Sequence, residues 1–385
     1  MRKRAPIYLI GVLLLFVELV GCAVPVVPRS VSVDQIPPIV RALPSYAPFG
    51  PSGVAFFKDK LYVSTNIGLL VVNGARPEIL YKWIPSDDVV SGPWVDVAND
   101  ALWIHHAHDN YLRRFDGTSW RLVTPPVYRR SGSISIVHGF ASPTAFWLVV
   151  GGYVWRYQAG EISWVLESRP PAPTYSETEA VAPLGASVLY VVREGLEGIW
   201  HSRYAIYDRE NNWARQILSE KMQLPYESGG VVTTPEGAYV RARDGRLFLI
   251  GSKNVQILET PGRCEAIAPT STGKLLASFV DRGIFLLDNG RWELRAAYPY
   301  GPQEGEHWAF LAESNGEIAY ATTSVRESKE GRTVYSRPAA LWVLRAGKLE
   351  RVILVGSKAG DRSSPDAVSS YDQVNVSRSP DHGRK

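Results

Sequence analysis

Short apolar segments separated by turn residues recur along most of the chain, most clearly in residues 95–124. Residues 101–104 are apolar and rich in strand formers, and residues 111–115 alternate between polar and apolar side chains. The pair Asp116-Gly117 then leads into residues 120–123, and an Asp-Gly pair between two such segments is a strong hairpin signal. Together with the apolar stretch just upstream, the pattern predicts four short antiparallel strands.

The same unit recurs seven times. Alignment of each short turn with the apolar run after it gives one equivalent position per unit, at Tyr62, Trp103, Trp147, Tyr190, Tyr239, Leu276 and Ala319, with intervals of 41, 44, 43, 49, 37 and 43 residues. A period of roughly 40 to 50 residues with four strands per repeat is typical of propeller blades. The sequence therefore predicts an all-β fold, a seven-bladed β-propeller of four-stranded antiparallel blades over residues 51–355. The ring is expected to be one cooperative domain, because a single blade cannot bury both its faces.

The second unit also resembles a known repeat. Leu102-Trp103-Ile104, residues 112–117 (LRRFDG) and the following Trp120 resemble the repeat of the two-component-regulator propellers. The first unit (residues 61–65 and 68–69) and the sixth (residues 282–285 and 288–292) echo it. His105-His106 stand where that repeat has a small Gly-Thr pair. The resemblance implies the propeller fold and does not by itself imply a function.

The N-terminus has the pattern of a bacterial lipoprotein leader. A positive segment, Arg2-Lys3-Arg4, precedes an apolar stretch over residues 5–17, and Leu19-Val20-Gly21-Cys22 resembles a lipobox. We predict a signal peptide over residues 1–21 and lipidation of Cys22, which would anchor the chain outside the cytoplasm with three acyl chains, including palmitate. Because Ala23 follows the cysteine rather than an aspartate, the outer membrane is favoured where the host has one. The alternative is a transmembrane anchor over residues 7–26.

Composition limits the remaining segments. Residues 22–50 are Pro-rich and are predicted to form an acylated tether, although a section near residues 31–40 is a candidate for pairing with the outer edge of a blade. Residues 356–385 are polar and are expected to be a disordered tail. Removal of the leader takes the net charge from +4 to about +2, and no basic tract indicates nucleic-acid binding. Cys264 then has no disulfide partner and is expected to be a buried apolar residue.

The predicted strand connections differ in length on the two faces of the ring. Turns between first and second and between third and fourth strands are short, and these lie on one side, the short-turn face. The blade-to-blade connections (residues 125–132, 168–178, 220–230 and 297–307) and the loop over residues 324–338 lie on the other side, the long-loop face. Tyr and Arg, which are enriched at binding hot spots, are concentrated there. The candidate binding residues are Tyr128, Arg129, Arg130, Tyr175, Tyr226, Tyr298, Tyr300 and Arg332.

His105, His106 and His108 form a second candidate site. Imidazoles at this spacing could supply two zinc ligands, with Asp109, His138, Asp281 or His307 completing the site, but none of these stands at a motif spacing. A solvent-facing, hydrogen-bonded cluster is the alternative, and no metal or other cofactor is predicted. The main expectation is a membrane-anchored binding module that holds a protein partner or a glycan on the long-loop face.

The alternative function is a carbohydrate-active hydrolase or lyase. A propeller can place carboxylates from its innermost strands around the central opening, and Asp96 and Glu313 fall on such strands. Arg193, Arg241 and Arg243 could form a cationic rim for an anionic ligand, or they could instead pair with Glu194 and Asp244. No nucleophile elbow or metalloprotease helix accompanies these residues.

Overall fold

The computed structural model contains strands and turns in every segment that it describes. It describes residues 29–31, 51–65, 68–73, 76–82, 94–98, 100–105, 112–124, 136–141, 145–150, 153–158, 164–173, 176–184, 187–196, 199–217, 230–242, 244–251, 255–297, 308–323, 326–329, 332–335 and 340–352. Within these segments there is no helix, and hence none with the length and hydrophobicity to cross a membrane.

Seven antiparallel sheets form the blades, and each contains four consecutive strands apart from one insertion in the last blade. The sheet of the second blade has a fifth strand, β1 (Arg29–Val31), at its outer edge. Blade 1 contains β2 (Pro51–Phe57), β3 (Lys60–Thr65), β4 (Gly68–Asn73) and β5 (Arg76–Lys82). Blade 2 contains β6 (Trp94–Ala98), β7 (Ala101–His105), β8 (Leu112–Phe115) and β9 (Trp120–Val123). Blade 3 contains β10 (Ile136–Ala141), β11 (Ala145–Val150), β12 (Tyr153–Gln158) and β13 (Val165–Leu166). Blade 4 contains β14 (Ser176–Leu184), β15 (Ser187–Leu196), β16 (Ile199–Asp208) and β17 (Ala214–Ile217).

The last three blades follow the same order. Blade 5 contains β18 (Val231–Thr234), β19 (Gly237–Arg241), β20 (Leu247–Ile250) and β21 (Val255–Ile257). Blade 6 contains β22 (Cys264–Pro269), β23 (Leu275–Phe279), β24 (Gly283–Asp288) and β25 (Arg291–Ala297). Blade 7 contains β26 (Trp308–Ser314), β27 (Glu317–Thr323), β30 (Ala340–Arg345) and β31 (Lys348–Val352), with β28 (Arg326–Lys329) and β29 (Arg332–Tyr335) inserted as a separate hairpin.

The first strand of each blade lies innermost, because first strands of neighbouring blades contact each other all round the ring. The contact between β26 and β2 closes the circle, and each of blades 1 and 7 is built from its own strands, so the described part of the chain shows no strand exchanged at the closure. Closure therefore depends on side-chain packing between these two blades. The predicted seven-bladed propeller of four-stranded blades is confirmed.

The core is divided into seven hydrophobic clusters, each shared by two adjacent blades. The closure cluster joins Val63 and Leu70 of blade 1 to Ala319 and Leu341 of blade 7, and all four are buried. Because each blade contributes to two clusters, a missing blade would expose apolar surface on both of its neighbours.

The seven equivalent positions in the repeat all lie on second strands, and six of them belong to the cluster shared with the following blade. Blade 4 differs, since Tyr190 packs toward blade 3, and its ring lies 5.3 Å from that of Trp213, which precedes β17 in the same blade. Its neighbours Leu189 and Val191 face blade 5 instead. A shift of one residue reverses the face of a strand. The position in blade 4 that corresponds to the other six is therefore a neighbour of Tyr190 and not Tyr190 itself.

Tryptophans near the start of outermost strands contribute to several blade interfaces. Trp164 Nε1 donates a 3.0 Å hydrogen bond to the carbonyl oxygen of Thr124, at the end of blade 2. Trp292 Nε1 donates a 2.9 Å bond to the carbonyl oxygen of Glu259, at the end of blade 5. Each indole therefore links its blade to the outer edge of the preceding blade, in addition to filling the space between twisted sheets.

Tight turns join first to second and third to fourth strands, as the sequence predicts. In Asn315-Gly316, Asn289-Gly290 and Ala346-Gly347 both residues have positive φ, from 47° to 83°. This is the arrangement of a type I′ turn, whose twist matches that of the flanking strands. These turns form the short-turn face.

Two features depart from the predicted outline. The strand β1 (Arg29–Val31) pairs antiparallel with β9 on the outer edge of blade 2, so edge pairing begins two residues before the section suggested by the sequence, residues 31–40, and overlaps it only at Val31. The predicted loop over residues 324–338 contains the hairpin β28–β29, in which Arg326 is opposite Tyr335 and Lys329 opposite Arg332. Alternating charged and β-favouring residues account for this hairpin.

Candidate functional site

Strand direction places the ends of second strands and the starts of first and third strands on the long-loop face. The hairpin β28–β29 follows the end of β27 and therefore projects from this face, with Arg332 at the start of its second strand. His105 ends β7 on the same face. Of the candidate binding residues only these two lie in the described segments. Tyr128, Arg129, Arg130, Tyr175, Tyr226, Tyr298, Tyr300, His106 and His108 lie outside them.

His105 is fully buried, which contradicts a solvent-facing cluster at this position. Its Nε2 lies 2.7 Å from Asp96 Oδ2, and its ring packs 5.2 Å from Trp94 and 5.7 Å from Phe146. Blade 1 packs against one face of β7 and blade 3 against the other. Side chains on both faces of this strand are therefore enclosed, including that of its last residue, His105. His105 Nδ1 and Trp94 Nε1 are both buried and have no hydrogen-bond partner among the residues that the structure describes.

The innermost strands of four blades carry a bulge close to the long-loop face. The strand register skips one residue in each case, at Ser52, Val137, Glu179 and Glu265. A bulge redirects a side chain and increases the local twist, and bulges are frequent next to functional sites. These bulges lie at the same level in four blades. The backbone at the inner rim of the long-loop face therefore differs from that of a regular strand.

Blades 5, 6 and 7 bring charged groups together behind this rim. Glu265 is 6% exposed, and its Oε2 accepts a 2.9 Å hydrogen bond from the hydroxyl of Tyr320 in blade 7. Burial raises the pKa of the adjacent Cys264 thiol to about 12, although the charge of nearby Arg241 opposes this increase. The prediction that Cys264 is buried is confirmed, and the raised pKa disfavours the reactive thiolate.

A second charged group lies within blade 4. Glu194 is fully buried, and its carboxylate accepts hydrogen bonds from Arg215 Nη2 at 2.5 Å, Arg215 Nε at 2.8 Å and the Tyr207 hydroxyl at 2.5 Å. Burial, together with the hydrogen bond to Glu194, raises the pKa of Tyr207 to about 12. This group is internal and fixes the three outer strands of the blade to one another.

Of the three arginines suggested for a cationic rim, Arg193 is partly buried, Arg241 is buried at the end of β19, and Arg243 lies outside the described residues. Glu194 binds Arg215, and Asp244 Oδ2 accepts a 2.7 Å hydrogen bond from Arg246 Nε. Arg215 is the register partner of Tyr207 on the outermost strand, a relation that the sequence order does not reveal.

Asp96 and Glu313, the two acids considered for the alternative enzyme, bind different partners at different places in the ring. Asp96 is bound to His105. Glu313 is near the short-turn face, where its carboxylate accepts hydrogen bonds from the backbone N–H groups of Ser271, at 2.5 Å, and Gly316, at 2.6 Å. Glu313 therefore joins the turns of blades 6 and 7, and the two acids do not face a common substrate position.

Several residues of this region were missed by sequence reasoning. Trp94, Tyr207, Glu265 and Tyr320 lie on strands whose apolar pattern gave no reason to single them out. The only available signal was a charged residue inside a buried strand, as at Glu194 and Glu265. In the segments that the structure describes, no group of three or more His, Cys, Asp or Glu side chains is arranged to hold a metal ion. Of the suggested zinc ligands, Asp109 and His307 lie outside these segments, and Asp281 is in an exposed turn.

No protein-family profile and no curated protein sequence matches the chain. Solved structures match in fold at low identity. PorZ, a surface component of the type-IX secretion system of Porphyromonas gingivalis, is 15% identical with a TM-score of 0.49, and the match covers 81% of this chain and 39% of PorZ. The chain thus spans about two fifths of PorZ. Virginiamycin B lyase from Staphylococcus aureus is 14% identical with a TM-score of 0.46, and the match covers 77% of this chain and 95% of the lyase.

A third match concerns the repeat resemblance. The extracellular domain assigned to a hybrid two-component system of B. thetaiotaomicron is 15% identical with a TM-score of 0.48, and the match covers 86% of this chain and 49% of that one. At such identities and TM-scores the likenesses concern the fold alone. From its own strands this chain is a seven-bladed β-propeller, and the resemblance of its second blade to the two-component-regulator repeat rests on the sequence of that blade.

Proposed function

We propose that the protein is a membrane-anchored, extracytoplasmic binding module that holds a protein partner on its long-loop face, with a glycan as the alternative ligand. The observation that carries the proposal is the asymmetry of the ring. One face carries turns of two to five residues in the described segments, whereas the other carries the hairpin β28–β29 and a bulged inner rim and is the face where the blade-to-blade connections begin and end. Long connections on a rigid scaffold are where binding residues usually lie.

The anchor is Cys22, and its test is independent of the partner. Cys22→Ser removes the thiol that would accept the lipid, so labelled palmitate should no longer enter the protein and the protein should leave the membrane fraction or remain uncleaved. A variant that is labelled and fractionates like the wild type would exclude lipidation at Cys22. Cell fractionation of the wild type then tests the expected outer-membrane location.

The binding face is tested with matched variants. Arg129→Ala combined with Arg130→Ala, and separately Arg332→Ala, should weaken cross-linked complexes isolated from native membranes, with a cost of about 1 to 4 kcal/mol per anchor residue. Asn315→Gly is the control, because it changes an exposed residue on the short-turn face and keeps a positive φ accessible. Binding that is lost in the control and retained in the arginine variants would place the partner on the other face.

The carbohydrate-active alternative requires two carboxylates at one site. We do not propose it, because Asp96 and Glu313 are each engaged in separate hydrogen bonds.

A further inference from the structure

The strand β1 shows where the N-terminal segment joins the ring. Arg29 is opposite Leu122, Ser30 opposite Arg121 and Val31 opposite Trp120, all on β9, the outermost strand of blade 2. The strand β9 runs from the Asp116-Gly117 turn on the short-turn face toward the long-loop face. Because the pairing is antiparallel, the chain reaches blade 2 at the end of β9 that is nearer the long-loop face and continues toward the short-turn face.

The distance from this point to the proposed lipid is short. Arg29 is the seventh residue after Cys22, and Pro25 and Pro28 lie between them. A chain of seven residues spans roughly 22 Å in the polyproline conformation and about 25 Å when fully extended. An acylated Cys22 would therefore hold Arg29, and with it the outer edge of blade 2, within about 25 Å of the bilayer surface.

From this geometry we infer that the ring is held to the bilayer through the outer edge of blade 2, with the long-loop face turned toward the membrane. The inference rests on the proposed acylation of Cys22. The tether reaches the long-loop end of β9 directly, whereas holding the short-turn end closer to the membrane would require the tether to extend past the whole strand.

The outer hairpin is also positively charged. Residues 112–124 contain the partly buried Arg114 and Arg121, the fully buried Arg113 and a single acid, Asp116. Arg114 and Arg121 are register partners on neighbouring strands and therefore share one face of the sheet. Positive charge close to an anionic leaflet is favourable.

The orientation also specifies the kind of partner. A molecule bound on the long-loop face would lie between the ring and the bilayer or beside it at the same height. The partner is therefore a protein located at the membrane surface, and a freely diffusing protein would have less access to this face.

Two variants of the full acylated chain, each with one added cysteine, test the orientation. Thr118→Cys places a label in the exposed turn at the short-turn end of blade 2, and Thr124→Cys places one at the long-loop end of the same hairpin. The carbonyl of Thr124 keeps its bond to Trp164 in the second variant, and Cys264 is buried and is not labelled. Energy transfer to acceptor lipids in phosphatidylglycerol-containing vesicles should be stronger from position 124.

Equal transfer from both positions, or stronger transfer from position 118, would overturn the orientation while leaving membrane attachment intact. A wild-type chain that neither carries lipid nor binds the vesicles would overturn the proposed anchor and, with it, this inference. The two failures are therefore distinguished by fractionation, which is measured on the same samples.

Disulfide cross-linking tests the docked strand itself. Ser30→Cys with Arg121→Cys joins register partners on β1 and β9 and should form a disulfide in the membrane-bound protein on mild oxidation. Ser30→Cys with Gln216→Cys, on the outermost strand of blade 4, is the matched control and should not cross-link. Failure of the first pair, or equal cross-linking of both, would overturn the point of attachment.

Discussion

Asp116 determines the geometry of the outer turn of blade 2. Its Oδ1 accepts hydrogen bonds from the backbone N–H groups of Thr118, at 2.9 Å, and Ser119, at 2.8 Å, and its Oδ2 accepts one from the Ser119 hydroxyl at 2.7 Å. Burial alone would raise the pKa of Asp116, but these hydrogen bonds hold it well below its ordinary value. Lys58 of blade 1 donates to the Asp116 carbonyl oxygen at 2.6 Å, so the turn also joins two blades.

Asp116→Asn should lower the free energy of unfolding at pH 7 by about 1.5 to 3 kcal/mol, the value of hydrogen bonds to a charged group. Because the pKa is depressed in the folded state, this stabilisation is complete above the unfolded pKa of about 3.9 and is lost as the pH falls toward the folded pKa. Denaturant unfolding at pH 7 and near pH 2.5 should therefore show a smaller difference in acid. Glu293→Gln, at an exposed position, is the control, and a difference that is unchanged in acid would contradict the prediction.

At the scale of the strands, blade 4 combines the longest strands with a buried carboxylate. β15 and β16 have 10 residues each, and Glu194 near the end of β15 is bound by Arg215 of β17 and Tyr207 of β16. One carboxylate thus crosses three strands of the same sheet. A buried carboxylate is costly unless it is paired, so this blade depends on the arginine of its outermost strand.

Arg215→Ala should reduce the free energy of unfolding by about 3 to 5 kcal/mol, because it leaves the buried Glu194 carboxylate without its cationic partner. Arg295→Ala is the matched control on the outermost strand of blade 6, where Arg295 and Glu293 are both about half exposed and the pair contributes at most about 1 kcal/mol. Thermal and denaturant unfolding of the two variants provide the measurement. Equal effects would show that Glu194 is stabilised by other groups.

At the scale of the whole molecule, stability is distributed over seven interfaces arranged in a circle. The closure interface between blades 7 and 1 is a hydrophobic cluster of the same kind as the other six, and the described residues include no strand shared by the two blades. A 3.5 Å hydrogen bond from Asn315 Nδ2 to Asp59 Oδ1 also joins them. Because side-chain contacts close the ring, the first and last blades stabilise each other only when the whole ring is present.

Truncation after Pro261 tests this dependence. The shortened chain retains blades 1–5 but exposes the blade 1 side of the closure cluster and the blade 5 side of the next interface. We expect it to lose the cooperative unfolding transition of the full chain, measured by calorimetry and near-ultraviolet circular dichroism. A fragment that melts cooperatively at the full-length temperature would show that the closed ring is not the unit of stability.

Local patterns in the sequence determined the number of blades, the order of strands and the tight turns. Alternating side chains and Asn-Gly or Asp-Gly pairs act within a few residues, so strands such as β7 and turns such as Asn315-Gly316 could be predicted without knowledge of the fold. The leader and its cysteine are likewise sequence features, and they remain predictions.

Only the tertiary structure decided which distant groups meet. It enclosed His105 between blades and paired it with Asp96, joined Glu194 to Arg215, which is 21 residues away in the sequence, and reversed the face of Tyr190. It also placed β1 on β9 and turned part of a predicted loop into a hairpin. These outcomes depend on strand register and on neighbouring blades, because a shift of one residue exchanges the two faces of a strand and packing between blades decides which polar groups are buried.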